Sequence, residues 1–263
     1  MPATPDLDYQ VSEAIATITL NRPERRNAFT LEMVDAWASA LRSAAADDSV
    51  RCVIITGAGD AFCSGVDLAA LSRTNSTPLA RKQVLTERIH KVALALDELD
   101  KPVIAVMRGP AVGAGLDMAL LCDMRLGSPS VRLSEGYIRV GLVPGDGGAW
   151  LLPRIVGTAK ALELLLTGDF VDATTALSLG LLNQLHPEEE LSERALAFAR
   201  RMCDLPPVQA RMIKRLVRQA ERVDLRTHYD LVSSHFGIVT SLDDYAEAQA
   251  AFAEKRRPSY RGG

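Results

Sequence analysis

Two short apolar runs, Cys52-Val53-Ile54-Ile55-Thr56-Gly57 and Val103-Ile104-Ala105-Val106, constrain this chain more than any other feature. Each is too short for a stable helix, is rich in β-branched residues and carries no polar alternation. Such a run reads as a strand covered on both faces, the situation of a strand inside an α/β sheet. The segments between the runs have the complementary pattern. Thr30 is placed to cap a helix over Leu31–Ala46, with Met33, Val34, Trp37 and Leu41 on one face. Ala80–Leu99 repeats its apolar residues every 3.6 positions and stops at Lys101-Pro102. Ala14–Leu20 alternates as a strand ended by Asn21-Arg22-Pro23, Met124–Gly127 and Val131–Ser134 read as two more strands, and Gly109–Gly115 leads into a helix over Leu116–Cys122. Repeated strand–loop–helix units imply an α/β fold class. Ser72–Pro78 is polar and reads as a mobile connection. From Leu191 onward the pattern is almost purely helical, broken at Pro206-Pro207, so the chain divides into a core over 1–191 and a helical region over 192–263.

Charge and composition exclude several functions. A formal net charge of −3 offers no basic field for a phosphate polymer, so nucleic acid is not expected as a partner. No apolar run reaches the length of a membrane span, and the N-terminus has neither the basic nor the apolar segment of a secretion signal. Cys52, Cys63, Cys122 and Cys203 are far apart and have no histidine at ligand spacing, which reads as buried thiols in a reducing cytoplasm rather than a metal site. None of His90, His186, His228 and His235 falls in a recognised catalytic position.

Two glycine-bearing loops stand out: Gly59-Asp60-Ala61-Phe62-Cys63-Ser64-Gly65-Val66-Asp67-Leu68 and Gly109-Pro110-Ala111-Val112-Gly113-Ala114-Gly115-Leu116-Asp117. The second is not a dinucleotide fingerprint, because Met118 occupies the third glycine position. Together with Asn21-Arg22-Pro23-Glu24-Arg25-Arg26-Asn27-Ala28, Cys122-Asp123, Gly141-Leu142-Val143-Pro144-Gly145, Pro153–Gly157 and Ala251–Arg256, in this order across nearly the whole chain, they resemble the crotonase (enoyl-CoA hydratase/isomerase) superfamily.

The resemblance implies a spiral of ββα turns with two stacked sheets, a C-terminal helical region used in trimerisation, and a homotrimer or dimer of trimers. It implies an acyl-CoA thioester as substrate, with coenzyme A as part of that substrate and no prosthetic group. It further implies that the main-chain N–H groups of Val66 and Ala114 hold the thioester oxygen as negative charge develops on it. Glycines beside each donor suit that role, since preorganised amides stabilise an enolate without reorganising. For coenzyme A the matching positions are Arg25, Arg26, Ala28, Ala61, Ser64, Asp67 and Leu68, with Phe252 and Lys255 supplied by a neighbouring subunit.

In the hydratases of this family two glutamates flank a water. Here the first position is Asp117 and the second is Tyr137, which as a phenol cannot serve as a resting base at neutral pH. Glu135 lies two residues from Tyr137 and would face the same side of an extended segment, so it is a candidate for the displaced carboxylate, its other reading being a solvated glutamate. Asp146 is the second candidate, its other reading being a side chain that bonds turn backbone. The reading placed first is a hydratase using Asp117 and Glu135; the alternatives are an enoyl-CoA or dienoyl-CoA isomerase with Asp117 as proton shuttle, and a non-catalytic acyl-CoA-binding homologue.

Overall fold

A computed structural model describes residues 6–71 and 77–262. Most of Ser72–Pro78, read above as mobile, lies outside the described residues. The chain opens with a hairpin: β1 (Leu7–Ser12) pairs antiparallel with β2 (Ile15–Leu20) from Leu7↔Leu20 to Ser12↔Ile15. Its turn residues, Glu13 and Ala14, both have positive φ (51° and 61°), as a two-residue primed turn demands. Strand β1 lies ahead of the first strand expected from the sequence, because a Glu-Ala turn carries no glycine or asparagine signal.

Helix α1 (Leu31–Ala46) begins where predicted, with Thr30 Oγ1 accepting from Met33 N at 3.3 Å. Strand β3 (Cys52–Gly57) follows and pairs parallel with β2. After the four-residue α2 (Leu68–Leu71), the predicted Ala80–Leu99 helix is divided into α3 (Pro78–Gln83), a π-helical turn over Val84–Ile89, and α4 (His90–Glu98). Strand β4 (Val103–Met107) leads to β5 (Pro110–Val112), a strand that had been read as loop, and then to α5 (Ala114–Leu120). Strands β6 (Met124–Gly127) and β7 (Arg132–Ser134) precede α6 (Gly148–Val156), α7 (Thr158–Thr167), β8 (Val171–Asp172), α8 (Ala173–Ser178) and β9 (Gln184–Leu185).

The strands form two sheets, ordered β1-β2-β3-β4-β6-β9 and β5-β7-β8. Period-two alternation divides the main sheet cleanly. Ile18, Val53, Ile55, Val103 and Ala105 face the larger core with Trp37, Leu41 and Leu96, whereas Ile15, Cys52, Ile54, Ile104 and Val106 face a second layer. That second layer is α9 (Leu191–Cys203), through Leu191, Ala195 and Ala199. By packing, therefore, the first helix of the 192–263 region goes with the sheet; α10 (Pro207–Ala220), α11 (Leu225–Val239) and α12 (Asp243–Glu254) follow it, and α10 is tied back to the core through Lys214 and Arg218, which pair with Asp123 at 2.6 and 3.2 Å. Neither α10 nor α11 has a fully buried residue. Cys52, Cys63 and Cys122 are buried as expected, but Cys203, near the end of α9, is only half-buried.

Candidate active site

Three chain segments meet at the site. Asn27, fully buried, organises the first of them: its Nδ2 donates to the carbonyls of Ala58 and Ala61 (2.9 and 2.8 Å), and its Oδ1 accepts from Arg22 N at 2.9 Å. One amide side chain thus ties the Asn21–Ala28 loop to the Gly59–Leu68 loop, and Ser64 N donating to Arg26 O (2.9 Å) completes the seam. Arg25, Arg26, Ala28, Ala61, Ser64 and Leu68 are brought together here, with both arginines exposed and Ala61 buried. Asp67 has a structural use as well. Its carboxylate pairs with Arg22 at 3.2 Å and accepts from Ala69 N at 3.1 Å, so it braces the loop. Phe252, 87% exposed, and Lys255 stand at the end of α12, and no hydrogen bond joins that helix to the two loops among the described residues.

The amides of Val66 and Ala114 lie on loops in direct contact. Gly65 adopts φ +93°, which an L side chain resists, and a Cβ there would sit 2.9 Å from Val112 O and 3.5 Å from Ala114 N. The neighbours of Val66 pair with Phe29: Phe29 N donates to Gly65 O and Asp67 N to Phe29 O. Ala114 is the first residue of α5, beyond the reach of the helix's own acceptors. Among the described residues neither amide donates to a protein acceptor. Val66 also borders a cavity of about 590 Å³. Leu68, Arg81 and the π-helical turn, through Val84, Leu85 and Ile89, form one wall; Tyr137, Val140, Leu142, Val143 and Pro144 to Asp146 form the other.

Behind that wall lies an acidic cluster. Asp117, Glu135, Tyr137 and Asp146 are 0%, 2%, 8% and 5% exposed. The Tyr137 hydroxyl is 2.7 Å from Asp117 Oδ2 and 3.2 Å from Asp146 Oδ2, and Asp146 N donates to Asp117 Oδ2 at 3.3 Å. Asp117 Oδ1 and both Glu135 carboxyl oxygens converge on Gly148, and all three are buried without a hydrogen-bond partner among the described residues. Glu135 is thus no solvated strand end, although the 3₁₀ turn over Gly136–Val140 replaces the extended segment on which its placement had been argued.

Burial sets the charges. Desolvation pushes Asp117 up to about 6, against the hydrogen bond from Tyr137. It pushes Glu135 up to about 10, with the neighbouring Asp117 charge adding to the effect. Two carboxyls this close cannot both ionise, so near neutral pH the pair holds one proton, on Glu135. Tyr137 is driven above its ordinary value by the same burial and the same anions, and Asp146 is raised chiefly by desolvation. Of the four acidic side chains only Tyr137 and Asp146 reach the cavity; Asp117 and Glu135, taken from the sequence as the groups that touch water and substrate, do not line it. His90, passed over in the sequence, approaches from α4, where its Nε2 is 2.8 Å from Gly145 O and its charge favours ionised Asp146.

The sequence profile of the enoyl-CoA hydratase/isomerase family matches residues 10–263. The chain is 35% identical to the 1,2-epoxyphenylacetyl-CoA isomerase of Escherichia coli, over 96% of this chain and 97% of that one. It is 31% identical to the short-chain-enoyl-CoA hydratase of Clostridium acetobutylicum, over 92% of each. Among solved structures, an enoyl-CoA hydratase from Bacillus anthracis superposes with TM-score 0.93 at 29% identity, covering 98% of this chain and 100% of that one. Another, from Mycobacterium smegmatis, gives 0.92 at 32%, covering 98% and 99%. With the two-sheet architecture and the paired loop amides, these likenesses show that the chain belongs to the enoyl-CoA hydratase/isomerase family, within the crotonase superfamily.

Proposed function

We propose that this enzyme moves a carbon–carbon double bond within an acyl-CoA, with Asp146 as the base. A single observation carries the reading: Asp146 is the only carboxylate that lines the cavity among the described residues, and its Oδ1 has no hydrogen-bond partner. Hydration of a 2-enoyl thioester needs a water held between two catalytic groups, whereas isomerisation needs one base that takes a proton from one carbon and returns it to another. The thioester oxygen rests between the N–H groups of Val66 and Ala114. The Cα–H bond of a 3-enoyl thioester breaks, its proton passes to Asp146, and its electron pair spreads into a dienolate whose charge the amides hold. Return of the proton to the γ carbon gives the conjugated 2-enoyl thioester. The name of a Streptococcus mutans relative, a trans-2-decenoyl-[acyl-carrier-protein] isomerase 30% identical over 97% of each chain, supports this reading; the hydratase names of other relatives keep hydration as the second.

Coenzyme A enters as part of the substrate, over Arg25, Arg26 and Ser64, and the proposed chemistry calls for no prosthetic group. Bare apolar residues on α10 and α11, Ile213, Val217, Tyr229 and Phe236, each more than 60% exposed, support a homotrimer or dimer of trimers. The three buried thiols suit a cytoplasmic enzyme of acyl-chain metabolism.

Turnover of a 3-enoyl-CoA and of crotonyl-CoA, followed by the absorbance of the conjugated thioester, tests the assignment. Wild type should conjugate the 3-enoyl substrate, and Asp146→Asn should lose about 10²–10⁴-fold in kcat. Hydration of crotonyl-CoA that survives Asp146→Asn would refute both the reaction and the base.

A further inference from the structure

The base assignment leaves three buried acidic groups without a task, and their geometry gives them one. Tyr137 has a single hydroxyl hydrogen and two carboxylates beside it, Asp117 at 2.7 Å and Asp146 at 3.2 Å. The hydrogen can serve one of them at a time. Directed to the nearer Asp117, it leaves an oxygen lone pair that can accept from Asp146 whenever Asp146 is protonated. Asp117 in turn meets Glu135 at Gly148, the first residue of α6. The four groups form a chain that begins at the cavity and ends in the protein interior.

We propose that Tyr137 is a proton relay: it passes the proton that Asp146 takes from the acyl chain to the buried Asp117–Glu135 pair and returns it for delivery to the second carbon. This rests on Asp146 being the base. In the forward half, the O–H bond of Asp146 breaks and its proton bonds to the Tyr137 oxygen, while the Tyr137 hydroxyl proton moves to Asp117 Oδ2. Asp146 is again an anion, Asp117 is neutral, Tyr137 keeps one proton throughout, and the electron pair stays in the dienolate. The reverse half restores the start. Asp117 is equipped to receive because its Oδ2 already accepts the Tyr137 hydroxyl at 2.7 Å, while Glu135, raised to about 10 by burial and the neighbouring Asp117, is the protonated member of the pair. His90, with Nε2 2.8 Å from the Gly145 carbonyl, favours the ionised form of Asp146. Because Asp117 is fully buried and Glu135 2% exposed, the stored proton is screened from bulk water.

Steady-state kinetics in mixtures of H₂O and D₂O read the relay directly. Wild type should lose kcat along a downward-curved line as deuterium rises, the sign of more than one proton in flight, and Tyr137→Phe should give a straight line. Tyr137→Phe should lower kcat at least tenfold with KM for the 3-enoyl-CoA within twofold. Asp117→Asn should cost a similar factor, and the double variant no more than Tyr137→Phe alone, because removing the phenol already disconnects Asp117. A straight line for wild type, multiplying losses in the double variant, or a Tyr137→Phe enzyme at wild-type kcat would overturn the relay. If Asp146→Asn retains full activity, the base assignment itself fails and takes the relay with it. A dead Asp146→Asn beside an unimpaired Tyr137→Phe removes the relay alone.

Discussion

Asn27 shows how much of the site one side chain can hold. It has φ 56°, is fully buried, and its amide satisfies two carbonyls and one N–H from three places in the chain. Truncation leaves those groups dry and unpaired, so Asn27→Ala should destabilise the fold by about 2–4 kcal/mol, measured by urea unfolding, and loosen the Gly59–Leu68 loop with it. Glu135 makes a prediction of opposite character. Its carboxyl is raised to about 10 in the folded chain, so the native state binds a proton that the unfolded chain has released. That stabilisation is complete below the ordinary glutamate range and is lost as pH rises toward 10, with a slope near 1.4 kcal/mol per pH unit for one proton. Thermal unfolding between pH 6 and 9 should show wild type weakening as pH rises and Glu135→Gln weakening less. An identical slope in the variant would refute the neutral glutamate.

At the scale of elements, the predictable pieces were those with local causes. Helix α1 starts at its threonine cap and β3 and β4 lie on their apolar runs, because capping and burial of a whole run act within a few residues. Misreadings had non-local causes. Strand β1 closes through a turn whose positive φ values are imposed by pairing with β2, and β5 is a strand only because β7 lies beside it. The π-helical turn inside the predicted Ala80–Leu99 helix leaves no mark on the 3.6-residue rhythm, yet it shapes the cavity wall. Helix α6 likewise meets the acidic cluster at Gly148, where a Cβ would lie 2.9 Å from both Glu135 carboxyl oxygens and closer still to Asp117 Oδ1. Gly148→Ala should therefore cost about 1–3 kcal/mol of stability and lower kcat, seen by thermal unfolding and turnover together. An alanine variant with wild-type stability and rate would mean that the cluster is less tightly closed.

At the scale of the whole molecule, α10 and α11 carry apolar faces that this single chain leaves uncovered. In the proposed oligomer they are buried against other copies. Light scattering on a sizing column should then give a multiple of three chain masses, and Val217→Glu with Phe236→Glu should reduce it, whereas a wild-type monomer at micromolar concentration would rule the trimer out.

The sequence by itself determined the alternation of buried strand and helix and the two glycine loops, since each is written in neighbouring residues, and its resemblance to the family pointed to the amides at 66 and 114 and to Tyr137 where the hydratases carry a second glutamate. Only the tertiary structure decided which acid faces the cavity. Asp117, Glu135, Tyr137 and Asp146 come from different elements, and their protonation depends on mutual distance and on exclusion of water. Those are properties of packing, and so Asp117, favoured by motif position, and Glu135, favoured by its spacing from Tyr137, lie buried behind a tyrosine while Asp146 faces the cavity.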